Sequence, residues 1–239
     1  MRRTRAIPIA SLALAVTLAV VHAGGTKTVS GDRSWTSPDL DRFPIASIAM
    51  LPPVTYDGNV EHRRLVEQAL TQALKGSAYR WISPILVRDY LLKNGADSIT
   101  KALTDKVLKD ARVDSLDAPR LSRILHARGL LSVRVDEMER RELEADQSGR
   151  PSTSIQLRAA LVDSTGRLVW TLASNETMEG AQQDPGGNVI GMKTSGLNNA
   201  AVGDIQPAPT FVEVLAKMGL RWTESFPKRA APDSSASGK

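Results

Sequence analysis

Apolar residues recur in two different rhythms along this chain, and the change of rhythm divides it in half. Residues 45–51 (IASIAML) are an almost continuous apolar run, which predicts a strand covered on both faces. Pro52-Pro53 ends it, because proline has no N–H to give to a ladder. Over residues 60–75, Leu65, Val66, Ala69, Leu70, Ala73 and Leu74 form one stripe at helical spacing, with Gly76 as the expected C′ residue. Residues 79–82 predict a second short strand. Ser83-Pro84 then supplies an N-cap and an N1 proline for a helix that Gly95 stops. Residues 99–111 predict another helix. A fourth, capped by Asp117 with Pro119 in its first turn, carries Leu121, Ile124, Leu125 and Arg128 to Gly129.

Past Gly129 the period drops to two. Leu131, Val133 and Val135 alternate with Ser132, Arg134 and Asp136, the mark of a half-buried strand. Residues 137–144 continue it as a highly charged extension. Ile155, Leu157, Ala159 and Leu161 alternate again, and Asp163-Ser164-Thr165-Gly166 turns the chain into Leu168, Trp170 and Leu172. The same alternation puts Trp170 on one face with Leu168 and Leu172, as a core aromatic. A last helix over residues 209–224 presents Phe211, Val214, Leu215, Met218 and Trp222. The order β-α-β-α-α-α, three strands, a loop and a helix predicts a single-domain α/β (α+β) fold. Its mixed sheet has helices packed on it and an antiparallel hairpin in the second half.

The ends are of another kind. Arg2, Arg3 and Arg5 precede an uncharged apolar stretch over residues 6–21, and Val21-His22-Ala23 has the small final residue that signal peptidase needs. Residues 1–23 therefore read as a signal peptide, and the chain as periplasmic or otherwise exported. The sequence contains no cysteine, so no lipid-accepting Cys follows the apolar stretch. Membrane association is expected only if that stretch stays uncleaved as an anchor. Residues 24–42 read as a polar linker that carries Trp35, residues 43–226 as the folded domain, and residues 227–239 as a disordered tail. Residues 180–207, rich in Gly, Asn, Gln and Asp, are longer than an ordinary connection.

Charge and composition narrow the field. Losing three arginines with the signal lowers the formal charge from +5 to about +2, which is weak ground for a nucleic-acid partner. Aromatic residues are 4% of the chain, too few for a base-stacking surface. Chemical motifs are absent. There is no HExxH, no CxxC pair, no P-loop and no Gly-x-Ser-x-Gly elbow. His62 and His126 fall in predicted helices and read as solvated or packing residues. Glu137, Glu139, Glu142 and Glu144 alternate with Arg140 and Arg141 closely enough to read as a solvent-facing strand rather than a cation site. No catalytic residue, metal or cofactor is assigned, and no enzyme is expected.

Three segments, IASIAMLPPV, YRWISPILVRDYLL and the pair LSRILHARGLLSVRVDEME with SIQLRAALVDSTGRLVWTLASNE, carry a resemblance. They resemble the bacterial envelope α/β domains typified by the curli-secretion lipoprotein CsgG. The penicillin-binding-protein activator LpoB and the N-terminal domain of TolB lie in the same circle. Ile48, Leu51 and Pro52 match that group's opening strand; Leu161, Val162, Asp163, Gly166 and Trp170 match its hairpin. The resemblance implies a non-catalytic protein that binds or assembles with envelope protein partners, in secretion or envelope biogenesis. No long amphipathic hairpin is present to carry pore formation over. The long loop, with Asn188, Met192, Asn198 and Asn199, is the expected partner-binding surface. An accessory role in envelope transport or lipid trafficking is the alternative, and a hydrolase with an unrecognised site a third class, whose histidine-dependent version alanine at His62 and His126 would test. Partner, pathway and oligomeric state are not readable from these residues.

Overall fold

The two rhythms resolve into one sheet with helices against both faces. The structure, a computed structural model, describes residues 31–43, 45–95, 97–144, 147–183 and 207–228. Strands β1 (Gly31–Thr36), β2 (Ser47–Met50) and β3 (Val54–Thr55) lead to helix α1 (Val60–Leu74), and β4 (Arg80–Ile82) to α2 (Pro84–Lys93), α3 (Asp97–Asp110) and α4 (Ala118–Leu125). The long strands β5 (Gly129–Arg141), β6 (Ser152–Asp163) and β7 (Leu168–Glu179) follow, and α5 (Phe211–Ser225) closes the fold. The sheet order is β1-β7-β6-β5-β2-β4 with β3 also on β5. The pairs β2–β4, β2–β5 and β3–β5 are parallel; β5–β6, β6–β7 and β1–β7 are antiparallel. The mixed α/β fold is as the periodicity predicts.

Each face has its own core. Leu131, Val133, Leu157, Leu161 and Leu172 meet Val66 and Leu70 of α1 and Val214, Met218 and Trp222 of α5. On the opposite face Ala49, Leu130 and Val162 meet Val87, Leu103, Leu121 and Leu125 of α2, α3 and α4. The all-buried β2 is the strand covered on both sides. The polar positions of β5 do not face water as alternation alone implies. Ser132 Oγ donates to Ala111 O (3.1 Å), and Arg134 Nη1 donates to Leu108 O (2.8 Å) and Lys109 O (3.0 Å). These are carbonyls that α3 leaves unpaired at its C-terminal end, so buried polar side chains of the sheet serve as its cap.

Several local expectations change in detail. β1 lies inside the stretch read as linker. Its sequence GDRSWT shows no period because four of its six residues are exposed at the sheet edge. Gly76 is not left-handed; Gly95 (φ +62) is the C′ glycine of α2. α4 ends at His126, itself left-handed (φ 49), and Gly129 opens β5 instead. A Cβ at Gly129 would lie 3.1 Å from Ile45 Cγ2 and 3.2 Å from Leu161 Cδ1, so the close approach explains the glycine. A bulge at Val169 moves Leu168 to the face of α2–α4, while Val169 joins Trp170 and Leu172 on the other. Trp170 is buried, donates to Ser225 O (2.8 Å) and meets the Phe226 ring edge-on at 5.0 Å.

Asp117 stands at the N-cap of α4, but its side chain caps nothing. Its carboxylate and that of Asp114 take Lys106 Nζ at 2.6 and 2.8 Å, and Asp114 Oδ1 accepts the N–H groups of Leu116 and Asp117. The Lys106 ammonium, then the Asp117 N–H, hold the Asp114 carboxyl below its ordinary 3.8. A depressed folded value stabilises above the unfolded one and is lost as pH falls through the folded one. The stability difference between wild type and Asp114→Asn, from urea midpoints, should therefore be constant from neutral pH to about pH 5, begin to shrink at about pH 4 and vanish only below the depressed folded value. A difference that persists at low pH would assign the effect to shape rather than charge.

The β6–β7 turn offers a second check. Asp163 Oδ1 accepts from Thr165 N (2.8 Å) and Arg167 N (2.9 Å), and Gly166 closes the turn at φ +85. A Cβ on Gly166 would overlap the backbone of Ser115, whose N would lie 2.9 Å away. Gly166→Ala is expected to destabilise by about 2 kcal/mol from left-handed strain and this overlap. Ser164→Ala, two positions earlier in the same turn, should stay near wild type in the same denaturation.

Candidate functional site

Asn188, Met192, Asn198 and Asn199 lie outside the described residues. What the structure does describe is how the chain leaves toward them and returns. On the way out, Gly180 N donates to Pro151 O (2.7 Å), and Gln183 exchanges backbone hydrogen bonds with Gly149 at 2.7 and 3.0 Å. The buried Gln183 side chain donates to Glu144 O (2.6 Å) and Gln147 O (3.2 Å). On the way back, Ala208 N donates to Glu142 Oε2 (2.8 Å), Arg140 Nη2 donates to Ala208 O (2.9 Å), and Thr153 Oγ1 donates to Pro209 O. Thr210 then opens α5 with a capping box to Glu213. Gly180 lies close against Pro207, so both stems are fastened at one end of β5–β6–β7. The charged extension thus does structural work: Arg140 and Glu142 hold the returning stem, and Glu137 accepts from Gln156 Nε2 (2.7 Å).

The two histidines have separate surroundings. His62 Nδ1 lies 2.7 Å from Asp57 Oδ2, with its ring edge-on to Phe211 at 5.1 Å. The N–H of Asn59, first among several donors, holds the Asp57 carboxyl below its ordinary range. His126 meets Tyr90 at 6.4 Å on the other side of the sheet. The structure does not bring the two together. Among the described residues no group of three His, Cys, Asp or Glu is gathered as a metal site needs, and no helix is long and apolar enough to cross a membrane.

Two apolar surfaces stand out instead. Between α1 and α5 runs a groove of about 500 Å³, floored by Leu65, Ala69, Ala73, Ala216 and Gly219. Val212 (60% exposed) and Leu220 (72%) stand on its rim. The small residues come from facing helix surfaces, so the helices pack closely below while large side chains rise at the edges. On the opposite side of the sheet α2 buries Val87 and Leu91 and exposes Ile85, Leu86, Tyr90 and Leu92. Periodicity finds the buried stripe of each helix but not a second apolar stripe beside it, so neither surface was foreseen. The signal was in the residues: α2 has apolar groups all round.

One charged cluster is buried. Glu176 on β7 is 0% exposed and takes Lys217 Nζ at 2.7 Å and Arg221 Nη1 at 2.5 Å, both from α5. Arg221 Nη2 reaches Asp32 Oδ1 of β1 at 3.0 Å. Its guanidinium is held above the ordinary arginine range: burial works against the charge, but hydrogen bonds to Asp32 and Glu176 outweigh it. Here too the sequence held a signal, since Ser174 and Glu176 share the parity of Trp170 and Leu172 and so point inward.

No protein-family model matches the chain, and no curated protein matches it. Solved structures similar to it include lipoprotein GNA1162 from Neisseria meningitidis, at 19% identity and a TM-score of 0.42, covering 56% of this chain and 83% of that one. The PelC dodecamer from Paraburkholderia phytofirmans is similar at 16% identity and a TM-score of 0.45, over 84% of this chain and 100% of that one. The hypothetical protein CT253 from Chlamydia trachomatis is similar at 15% identity and a TM-score of 0.33, over 75% and 92%. These are bacterial proteins that include a lipoprotein, and the narrower kinship with CsgG and LpoB is not what they show.

Proposed function

We propose that this is an exported, non-catalytic protein of the cell envelope that works by binding other envelope proteins, as an assembly or accessory component. The observation that carries the proposal is the pair of exposed apolar surfaces, the α1–α5 groove and the outer face of α2. Large side chains left in water side by side mark contact surfaces rather than chance exposure. The signal-like residues 1–23 and the resemblance to the CsgG and LpoB domains supply the compartment. The fastened stems of residues 184–206 supply a third contact zone, with Asn188, Met192, Asn198 and Asn199 within it. Photo-crosslinking groups at Leu86, Ala216 and Met192, introduced one at a time in intact cells, test this reading. A discrete partner protein is expected from at least one position and not from exposed Lys101 on α3. Capture no different from Lys101 at all three positions would count against it.

The alternative, an accessory subunit in lipid trafficking, is favoured by the groove alone. Its volume lies within the range of small-molecule sites, and its lining is apolar. Native mass spectrometry after mild extraction should then show an added lipid mass that Ala216→Trp removes. A bare chain mass beside a captured protein partner supports the first reading.

A further inference from the structure

β1 sits on this domain much as a bound peptide sits on a receptor. None of residues 31–36 belongs to the buried core, and Arg33, Ser34, Trp35 and Thr36 are exposed. The strand is held by its ladder to β7, from Gly31 opposite Asn175 to Thr36 opposite Trp170, and by one side chain, Asp32. The seat for that side chain is built entirely by other elements. Trp222 Nε1 donates to Ser174 Oγ (3.0 Å), so the hydroxyl proton of Ser174 is turned to Asp32 Oδ1 (2.6 Å). Glu176 holds Lys217 and Arg221 Nη1, which leaves Arg221 Nη2 for Asp32. Lys217, Arg221 and Glu176 together carry one positive charge, and the Asp32 carboxylate neutralises it. The seat therefore selects an extended segment with a carboxylate at its second residue.

We propose that this seat is filled in exchange between copies: residues 31–36 of a second chain pair with β7 and place their Asp32 on Arg221 and Ser174. The strand known to fit the seat is this chain's own, so a second copy brings the same complementarity. β1 lies outside the core, so its departure breaks no apolar packing. Ser37 extends the attachment through its N–H to Val169 O (2.8 Å), and Leu40 and Phe43 pack on the core, leaving Pro38 and Asp39 as the hinge. Two residues span about 7 Å, so the two bodies meet along their β7 edges in a closed two-fold arrangement. Asp32 Oδ2 and Arg221 Nε are buried without a hydrogen-bond partner, which loosens the seated strand.

The absence of cysteine makes the test clean. Trp35 lies opposite Thr171, so full-length Trp35→Cys and full-length Thr171→Cys chains are mixed and oxidised. A disulfide-linked heterodimer is expected at several-fold the yield of Trp35→Cys mixed with Lys101→Cys, an exposed control on α3. Adding Asp32→Lys to the Trp35→Cys chain should bring the yield down to the control. The double variant Trp35→Cys/Thr171→Cys should give, beside chains closed internally, a covalent dimer joined by two disulfides, and only internal closure is expected without exchange. If Trp35→Cys folds poorly, Arg33→Cys with Ala173→Cys repeats the test on the same face. Heterodimer at the control level, while the double variant closes internally, overturns strand exchange. Cross-linking that survives Asp32→Lys overturns the role given to the carboxylate seat.

Discussion

Replacing Glu176 with alanine is expected to lower the stability of the domain by about 3 kcal/mol, the lower end of what breaking a buried ion pair costs. Glu176 is fully buried and holds two cations, Lys217 and Arg221, against β7. Their exposures decide the size of the effect. Lys217 is half exposed and can turn to water, so its loss of a partner costs little. Arg221 is 28% exposed and keeps Asp32, yet its Nη1 is left facing an apolar interior. The effect should therefore fall short of the upper end of the range. In a domain of this size it corresponds to a melting point about 6–12 °C lower.

The same geometry predicts that the partners are coupled. Glu176→Met takes one of two carboxylates from Arg221, and Arg221→Met takes one of two cations from Glu176. Making both changes removes the charges together, so the double variant should be more stable than the sum of the singles by about 1–3 kcal/mol. Additivity to within about 0.5 kcal/mol would mean that Glu176 acts through its packing and not through its charge.

The sequence made some of this architecture legible and concealed the rest for definite reasons. Strands β2, β5, β6 and β7 and helices α1, α2, α3, α4 and α5 declare themselves because each buries a stripe whose period is written in Leu, Val and Ile. β1 has no such stripe. A short edge strand with one covered side chain looks like a polar linker until its partner is known. β3, two residues long, resumes the pairing with β5 after Pro52 and Pro53 interrupt it. The face of Leu168 could not be read from alternation, because a single extra residue at Val169 reverses parity. Ser132 and Arg134 look like solvent-facing polar residues, but the carbonyls they cap belong to a helix about 25 residues earlier. Long-range satisfaction of this kind leaves no local trace. The expected partner residues Asn188, Met192, Asn198 and Asn199 fall outside the described chain. The groove and the charged seat were each encoded in residues whose meaning depended on which helix would lie beside them.

Trp222→Ala should be the most damaging single change in α5. The side chain is 1% exposed and packs at the centre of the larger core, so truncation is expected to cost about 4 kcal/mol in lost burial and residual cavity. Trp222→Phe separates two contributions. It keeps most of the apolar area but loses the indole N–H that donates to Ser174 Oγ at 3.0 Å, for a cost of about 1–2 kcal/mol. Without that donor the Ser174 hydroxyl is no longer committed to Asp32, and the hold on β1 slackens. Hydrogen exchange should therefore quicken in residues 31–36 of Trp222→Phe more than in β5 or β6, which the indole N–H does not help to hold. If protection falls evenly over the sheet, the tryptophan acts on the core alone. If it falls first at β1, the indole is the fixed end of a relay, Trp222 to Ser174 to Asp32, by which a buried residue of α5 sets how firmly the outermost strand is held.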